Sequence, residues 1–365
     1  MFNNLDLNFT SISLLLVIAA LSFRFLYNST TPRPPTMMNP RGGARIPFRR
    51  RPLVPPPDPQ PPTTTTSYEI GPEDVMQVKD ILAKTRNLPP ELVDMIMDRA
   101  EYWTCSTTSI NYPKPVSVLG ARPGEDQFLL RTPPLGLKWS PASRDLWRVE
   151  SEPKQLQQEY PLSELEKLVD GPMSTLENPF RRVVFDIVSR DQGWGGDSAH
   201  HNTYHHSFTW FDAGLERFDM NHDCPSTCPD HVNQGSSENS SNIPTCAIRP
   251  LWPPVVPNEG GAPGMRYNHE LLADQDHLIQ RNKLADKTWQ HHHVEWSWDD
   301  KVDSTNTDSP AVRDLDNAGR GIGTACGEFV RNLKYGDMIT VWARARFGGW
   351  SNNIQKVEVK VYWAF

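Results

Sequence analysis

The C-terminal half of the chain alternates between apolar and polar positions, which is the pattern of β-strands. The last segment alternates strictly, with Val357, Val359, Val361 and Trp363 on one face and Lys356, Glu358 and Lys360 on the other. Four earlier segments are rich in β-branched and aromatic residues: 181–189, 207–218, 288–298 and 337–347. No helical pattern of roughly 10–15 residues separates most of them, which favours antiparallel pairing. The pattern therefore predicts a mainly-β protein, with an antiparallel jelly-roll-like β-sandwich over residues 180–365.

Helical spacing appears upstream of these strands. Pro72 begins one apolar pattern of helical period, and Pro90 begins a second. Together they predict a small helical pair over residues 71–104. Residues 105–179 follow neither period clearly, so we expect an irregular connector there, with one short helix at residues 163–169.

A polar segment rich in proline and serine, residues 224–264, interrupts the strands and predicts a surface-loop insertion. Possible zinc ligands lie at its start: His222, Cys224, Cys228 and His231. Cys224 could instead pair with Cys228 or Cys246 in an oxidising compartment, or these residues could simply belong to the loop. Because the five cysteines are odd in number and widely spread, we favour mostly reduced thiols.

The first 30 residues contain a long apolar run, from Ile12 to Tyr27 with Arg24 inside it. No basic residue precedes the run and no clear cleavage site follows it, which favours a membrane anchor over a signal peptide or an uninserted leader. Because the flanking arginines follow the run, the anchor would be single-pass with the folded part in the cytosol. Residues 31–70 are rich in proline, arginine and threonine and predict a disordered linker.

Charge is distributed unevenly along the chain. Residues 1–66 hold seven arginines against Asp6 and Asp58, although the whole chain has a net charge of −7. The folded part is therefore strongly acidic and would repel the phosphates of nucleic acid. This argues against a nucleic-acid partner, whereas the basic segment beside the apolar run indicates a membrane surface.

Aromatic residues in the sandwich region suggest a candidate ligand-binding site. Trp194 and Trp350 lie in glycine-flanked turns, where side chains more often reach the surface. Asp191, Asp212 and Arg346 could supply hydrogen bonds beside them, as in sandwiches that stack sugars on tryptophan. Most other tryptophans lie in apolar strands, and we expect them to fill the core.

Signals for catalysis or for a bound metal are weak. His291, His293 and Glu295 would share one face of a strand and could hold a divalent metal, as in cupin-type jelly rolls. No further histidine from a distant strand completes such a set, so a solvated polar face is favoured. The chain contains no phosphate loop, nucleophile elbow, HExxH or GxGxxG motif. The sequence therefore predicts no enzyme, no catalytic residue, no metal and no cofactor.

Several blocks resemble the signature of a fungal protein family. They are SRDQGWGG at 189–196, TWFD at 209–212, WSWDD at 296–300, GEFVR at 327–331, GDMITVWARARF at 336–347 and VYWAF at 361–365, with LPPELVDMIMDRAEYW at 88–103 upstream. The resemblance implies a domain similar to galactose-binding-like jelly rolls, without implying an activity. The opening LPPELV also resembles the first helix of an F-box, the adaptor motif of cullin-based ubiquitin ligases, although residues 104–115 depart from that motif by turning polar.

These patterns predict a non-catalytic recognition module, tethered to a membrane, whose ligand is a protein or a carbohydrate. Two alternatives stay open. One is an F-box-like substrate adaptor of a ubiquitin ligase, and the other is a metal-dependent, cupin-like enzyme.

Overall fold

Two antiparallel β-sheets dominate the structure, a computed structural model that describes residues 69–138, 149–223 and 243–365. The predicted membrane anchor and all but the last two residues of the predicted linker lie outside the described residues, as do Cys224, Cys228 and His231. None of the described helices has both the length and the apolar character required to cross a membrane.

The described residues contain five α-helices and eleven strands. The helices are α1 (Pro72–Arg86), α2 (Pro90–Arg99), α3 (Leu162–Leu165), α4 (Pro310–Asn317) and α5 (Glu328–Arg331). The first six strands are β1 (Thr104–Leu119), β2 (Asp126–Arg131), β3 (Phe180–Arg190), β4 (Thr209–Phe218), β5 (Ile248–Trp252) and β6 (Val255–Pro257). The others are β7 (Met265–Tyr267), β8 (Leu278–Arg281), β9 (Gln290–Ser297), β10 (Met338–Ala345) and β11 (Ser351–Trp363).

The strands form a sandwich of two sheets and a separate hairpin. The first sheet has the order β1-β11-β3-β9, and the second has the order β2-β10-β4-β5 with β8 also paired to β4. Strands β6 and β7 make the hairpin, and the pairing between neighbouring strands is antiparallel. The prediction of a mainly-β, antiparallel sandwich is therefore confirmed.

The main core lies between the two sheets. Val357, Val359 and Val361 of β11 are fully buried, as their alternation predicts, and they share one apolar cluster with Val341 and Ala343 of β10. Burying an aliphatic side chain of valine size contributes about 1.5–3 kcal/mol relative to exposure. Because all eight residues of β10 are buried, its outer face must also be covered.

The sandwich begins at Thr104, so the predicted start near residue 180 is too late. Strand β1 pairs with β11 from Thr104 opposite Trp363 to Leu119 opposite Ser351, and β2 pairs with β10. The prediction of an irregular connector over 105–179 is wrong for these two strands. It fails because β1 is an edge strand with few buried positions, so its sequence is mostly polar and tolerates prolines beside a register shift.

The prediction of a surface loop at 224–264 is also wrong for the described part of that segment. Residues 248–252 form β5, which pairs with β4, and Ile248 is buried. The β6–β7 hairpin follows and packs Val255 and Tyr267 against Trp342 of β10. This apolar cover over the outer face of the second sheet explains why β10 is buried on both faces.

The helical pair packs as a small satellite cluster against the first sheet. Val75 of α1 and Val93 and Met97 of α2 are buried together, with Phe365 packed against them. Asp98 of α2 accepts hydrogen bonds from Arg181 of β3, from Nε at 3.0 Å and Nη2 at 3.2 Å. The pair is thus fixed to the sandwich by an ion pair as well as by apolar contact.

Candidate ligand-binding surface at the loop end of the sandwich

Three loops meet at one end of the sandwich, which we call the loop end: residues 191–208 between β3 and β4, 282–289 between β8 and β9, and 346–350 between β10 and β11. Antiparallel register brings them together, because the last residue of β3 lies opposite the start of β11 and the last residue of β8 lies opposite the start of β4. Loops that a rigid sheet holds in place are common sites of binding.

Trp194 lies at this end with its side chain 63% exposed. The turn that carries Trp194 packs against the 282–289 loop. Gly193 and Gly196 of this turn adopt positive φ and approach that loop closely. A Cβ on Gly193 would lie 2.5 Å from Lys287 Cβ, and one on Gly196 would lie 2.7 Å from Leu284 Cδ1. The turn is therefore fixed by backbone contacts that leave the indole in solvent.

Gln192 ties the same turn to the neighbouring strand. Its Nε2 donates to the carbonyl oxygen of Trp194 at 2.8 Å, and its Oε1 accepts from the backbone N–H of Ser351 at 3.0 Å. Ser351 is the first residue of β11. The backbone that carries the exposed tryptophan is thus tied to the sheet, which lowers the entropic cost of binding a ligand.

Trp194 belongs to an aromatic group that we call the aromatic tip: Trp194 and Phe347, which are exposed, and Phe208 and Trp350, which are half-buried. Phe208 contacts Phe347 and Trp350 edge to face, with ring centroids 4.8 and 5.1 Å apart. Trp194 reaches Gly349, where a Cβ would lie 3.5 Å from its Cη2. The structure therefore brings together the two predicted tryptophans and adds two phenylalanines that the sequence analysis missed.

Asp191, another predicted site residue, is buried beneath the tip. Its carboxylate accepts hydrogen bonds from the backbone N–H groups of Gly193 at 2.7 Å and Ala285 at 2.6 Å. Burial raises the pKa of this carboxyl to about 6, against the lowering effect of those hydrogen bonds. Asp191 is therefore a positioning residue that joins two of the loops, and it does not face solvent.

Asp212 and Arg346 are also buried, so the structure does not support their predicted contact with a ligand. They belong to a polar network, the Arg344 network, made of Asp126, Asp212, His269, Arg344 and Arg346. Arg344 donates to Asp212 and to Asp126, both at 2.9 Å, and Arg346 donates to Asp126 at 2.6 Å. Burial raises the pKa of Asp212 to about 6, with Arg344 acting in the opposite direction.

An open cleft of about 330 Å³ adjoins the aromatic tip. Phe208 belongs to the aromatic tip and also lines the cleft. Trp210 lies at the base of the cleft, and the guanidinium of Arg346 lies 5.4 Å from the centroid of its ring. Leu272 forms an exposed apolar part of the wall. The volume of the cleft is at the low end of the range for small-molecule sites, and its walls are partly aromatic and partly polar.

A second cavity, of about 320 Å³, lies at the opposite end of the sandwich among Leu165, Phe218 and Tyr335. Charged groups at its rim are already paired, since Arg217 donates to Asp337 and to Glu159. No exposed aromatic residue of the described chain lines it. The loop end is therefore the better candidate for recognition.

The three residues of the predicted metal alternative lie on the exposed face of the edge strand β9. His293 Nδ1 lies 2.6 Å from Asp186, and Glu295 pairs with Arg182 at 3.0 Å, while His291 is exposed. Within the described ranges, no group of three or more His, Cys, Asp or Glu side chains is placed to hold a metal ion. This arrangement matches the solvated polar face that the sequence favoured.

Comparison of the chain with protein-family models, with curated proteins and with solved structures finds no match. The resemblance to a fungal family therefore stays an expectation from the sequence blocks.

Proposed function

We propose that the chain is a non-catalytic recognition module whose aromatic tip binds a glycan, with the N-terminal segment tethering it to a membrane. The observation that carries this proposal is Trp194, a large apolar ring held in solvent by a fixed glycine turn. Trp194 and Phe347 are both exposed at the tip, and contiguous exposed apolar residues are typical of a binding surface. Flat sugar faces stack on rings presented in this way, and the polar cleft beside the tip offers hydrogen bonds. The alternative ligand for the same surface is a protein.

Substituting Trp194→Ala should weaken ligand binding at least about tenfold, which is the usual effect of truncating a central aromatic anchor. The fold should be unaffected, because the ring is exposed. The measurement is a glycan array probed with the full chain, followed by titration of the best ligand. Met220→Ala is the matched control, since Met220 is an exposed apolar residue beyond the other end of β4. Silence on the array, or equal binding by the Trp194 and Met220 variants, would remove the glycan proposal.

The F-box-like adaptor remains a second candidate because one observation favours it. Helix α2 exposes Leu92, Met95 and Ile96, and Met95 is 62% exposed. Adjacent exposed apolar residues on a helix are typical of protein-binding surfaces. Against this candidate, the chain enters strand β1 at Thr104, where an F-box would continue in further helices.

An adaptor should co-purify with a Skp-type linker protein, and Met95→Glu should abolish that association because a carboxylate would enter an apolar interface. Met220→Glu, with the same change at a distant exposed methionine, should leave it intact. If the unaltered chain, with a folded α2, recovers no linker, the adaptor hypothesis is wrong.

A further inference from the structure

Two basic side chains, Lys283 of the 282–289 loop and Arg320 just after helix α4, form the basis of a further candidate site near Tyr204. Among the described residues, neither Lys283 nor Arg320 forms an ion pair with a carboxylate. The nearest acidic group on the same loop, Asp286, uses its carboxylate to accept from Thr288 and from Gln290 Nε2 at 2.8 Å. Asp286 is still a nearby negative charge for Lys283, although the two side chains form no ion pair, and Arg320 has no carboxylate of the described chain within ion-pair distance.

Local sequence explains why Arg320 points here. Helix α4 ends in a Schellman motif, in which Arg320 N–H donates to Leu315 O at 3.0 Å and Gly319 N–H donates to Asp316 O at 2.9 Å. Gly319 adopts φ +72°, and a Cβ on it would lie 2.6 Å from Tyr204 Cβ. The glycine thus ends the helix, brings Tyr204 close and directs Arg320 to the strand β9. There Nη2 of Arg320 donates to His293 O at 2.7 Å.

Two buried nitrogen atoms of this cluster have no hydrogen-bond partner among the described residues. One is His292 Nε2, on a side chain that is only 5% exposed, and the other is Nε of Arg320. A buried polar group without a partner costs about as much as a lost hydrogen bond, so such atoms call for an explanation. Both nitrogens donate when His292 carries its proton on Nε2.

Tyr204, Lys283, His292 and Arg320 lie close together in one cluster. The ring of Tyr204 lies 6.2 Å from the ring of His292, and the Nζ of Lys283 lies 5.7 Å from the centroid of Tyr204. Arg320 joins them through its contact with the backbone of β9. Tyr204 and Lys283 belong to the same two loops that hold the glycine turn of Trp194, so this cluster also lies at the loop end.

We propose that Tyr204, Lys283, His292 and Arg320 form a subsite for one oxyanion: a phosphate, a sulfate or a carboxylate. Lys283 and Arg320 supply the charge, while the imidazole N–H and the phenol complete the set of donors. A bound oxyanion gives the two orphaned nitrogens an acceptor and neutralises the cluster. This subsite does not depend on glycan binding by Trp194, and the two proposals fail separately.

Titration calorimetry with inorganic phosphate at fixed ionic strength tests the subsite on the full chain. Binding should be at least about tenfold weaker in Lys283→Gln and in Arg320→Gln, because each loses a charge-assisted hydrogen bond. Lys287→Gln is the matched control, since it removes the same charge from an exposed residue of the same loop. The Nζ of Lys283 lies over the ring of Tyr204 and donates no hydrogen bond to a described residue, so the Lys283 variant still tests the proposal if Arg320→Gln fails to fold. No phosphate binding by the unaltered chain, or equal binding by all variants, overturns the proposal.

A sulfated disaccharide and its unsulfated counterpart identify the source of the anion. Tighter binding of the sulfated sugar than of phosphate, lost in Lys283→Gln, supports the subsite with a glycan-borne anion. Binding of phosphate without any preference for the sulfated sugar supports it with a free anion. Loss of sugar binding in Trp194→Ala alone, with phosphate binding unchanged, would show that the two sites act independently.

Discussion

Replacing Arg344 with methionine should lower the free energy of unfolding by about 3–5 kcal/mol, the usual cost of leaving a buried charge without its partner. Arg344 is 1% exposed and donates to Asp212, Asp126 and His269 at 2.9, 2.9 and 2.7 Å. Asp126 would still accept from Arg346, but Asp212 would lose its guanidinium partner. Methionine also forfeits the contact of the guanidinium with the Trp342 ring, 5.1 Å from its centroid.

Urea unfolding of the two proteins measures this difference. Arg122→Met is the control, because it makes the same change at an exposed position in the turn between β1 and β2 and should shift stability by less than about 0.5 kcal/mol. A second substitution, Asp212→Leu, should recover part of the loss in the Arg344→Met background, since it removes the uncompensated carboxylate. Equal stabilities of the Arg344 and Arg122 variants would mean that the network is not a buried, coupled unit.

Strand prediction succeeded where one face of a strand is buried and the other is wet. In β11 the valines enter the core while Lys356, Glu358 and Lys360 pair with one another at the surface, so the period of two is visible in the sequence. Edge strand β1 carries the same geometry but buries few residues, and threonine, serine and proline hide its period. The start of the sandwich therefore becomes evident only from the pairing of β1 with β11, and sequence periodicity does not identify which strands pair.

The candidate site was only partly predictable for a similar reason. Trp194 and Trp350 were identified because flanking glycines mark exposed turns, and Phe347 lies in the same kind of turn and could have been found by that signal. Arg344 offered a weaker sign, because the WARAR segment alternates large polar or aromatic residues with alanine. Its burial depends on the segment over residues 248–269, whose proline-rich sequence resembles a loop. When a residue is buried by a segment that is distant in the sequence, the residues around it carry no pattern that predicts the burial.

The same network should make the stability of the protein depend on pH through His269. Its Nδ1 lies 2.7 Å from Nη1 of Arg344, an arrangement in which only the neutral imidazole can accept. Burial, together with the charge of Arg344, lowers the pKa of His269 to about 3. In the unfolded chain the group would protonate near its ordinary value of 6.5. The unfolded state therefore binds the extra proton as the pH falls, and the folded state does not.

Stability from this residue is fully present above pH 6.5 and is lost as the pH falls toward 3, by about 1.4 kcal/mol per pH unit. Burial of His292, whose pKa is lowered to about 4, acts in the same direction. Asp191 and Asp212 act oppositely, because their raised pKa values let the folded state take up protons below about pH 6. The wild-type profile is a sum of these effects, so the contribution of His269 has to be read from a difference.

The variant His269→Asn keeps an oxygen acceptor near the position of Nδ1 but cannot titrate. Its unfolding free energy is measured in urea at pH 7, 6, 5 and 4 and should fall less steeply with falling pH than that of the wild type. The difference in unfolding free energy between the two proteins should change in favour of the variant by about 1 kcal/mol or more per pH unit below pH 6. Comparison with His201→Asn, which makes the same change at an exposed position of the 191–208 loop, separates the effect of the site from that of the substitution. Parallel curves for the wild type and His269→Asn would mean that His269 takes up its proton as readily in the folded as in the unfolded state, and the hydrogen bond assigned to Arg344 would then be wrong.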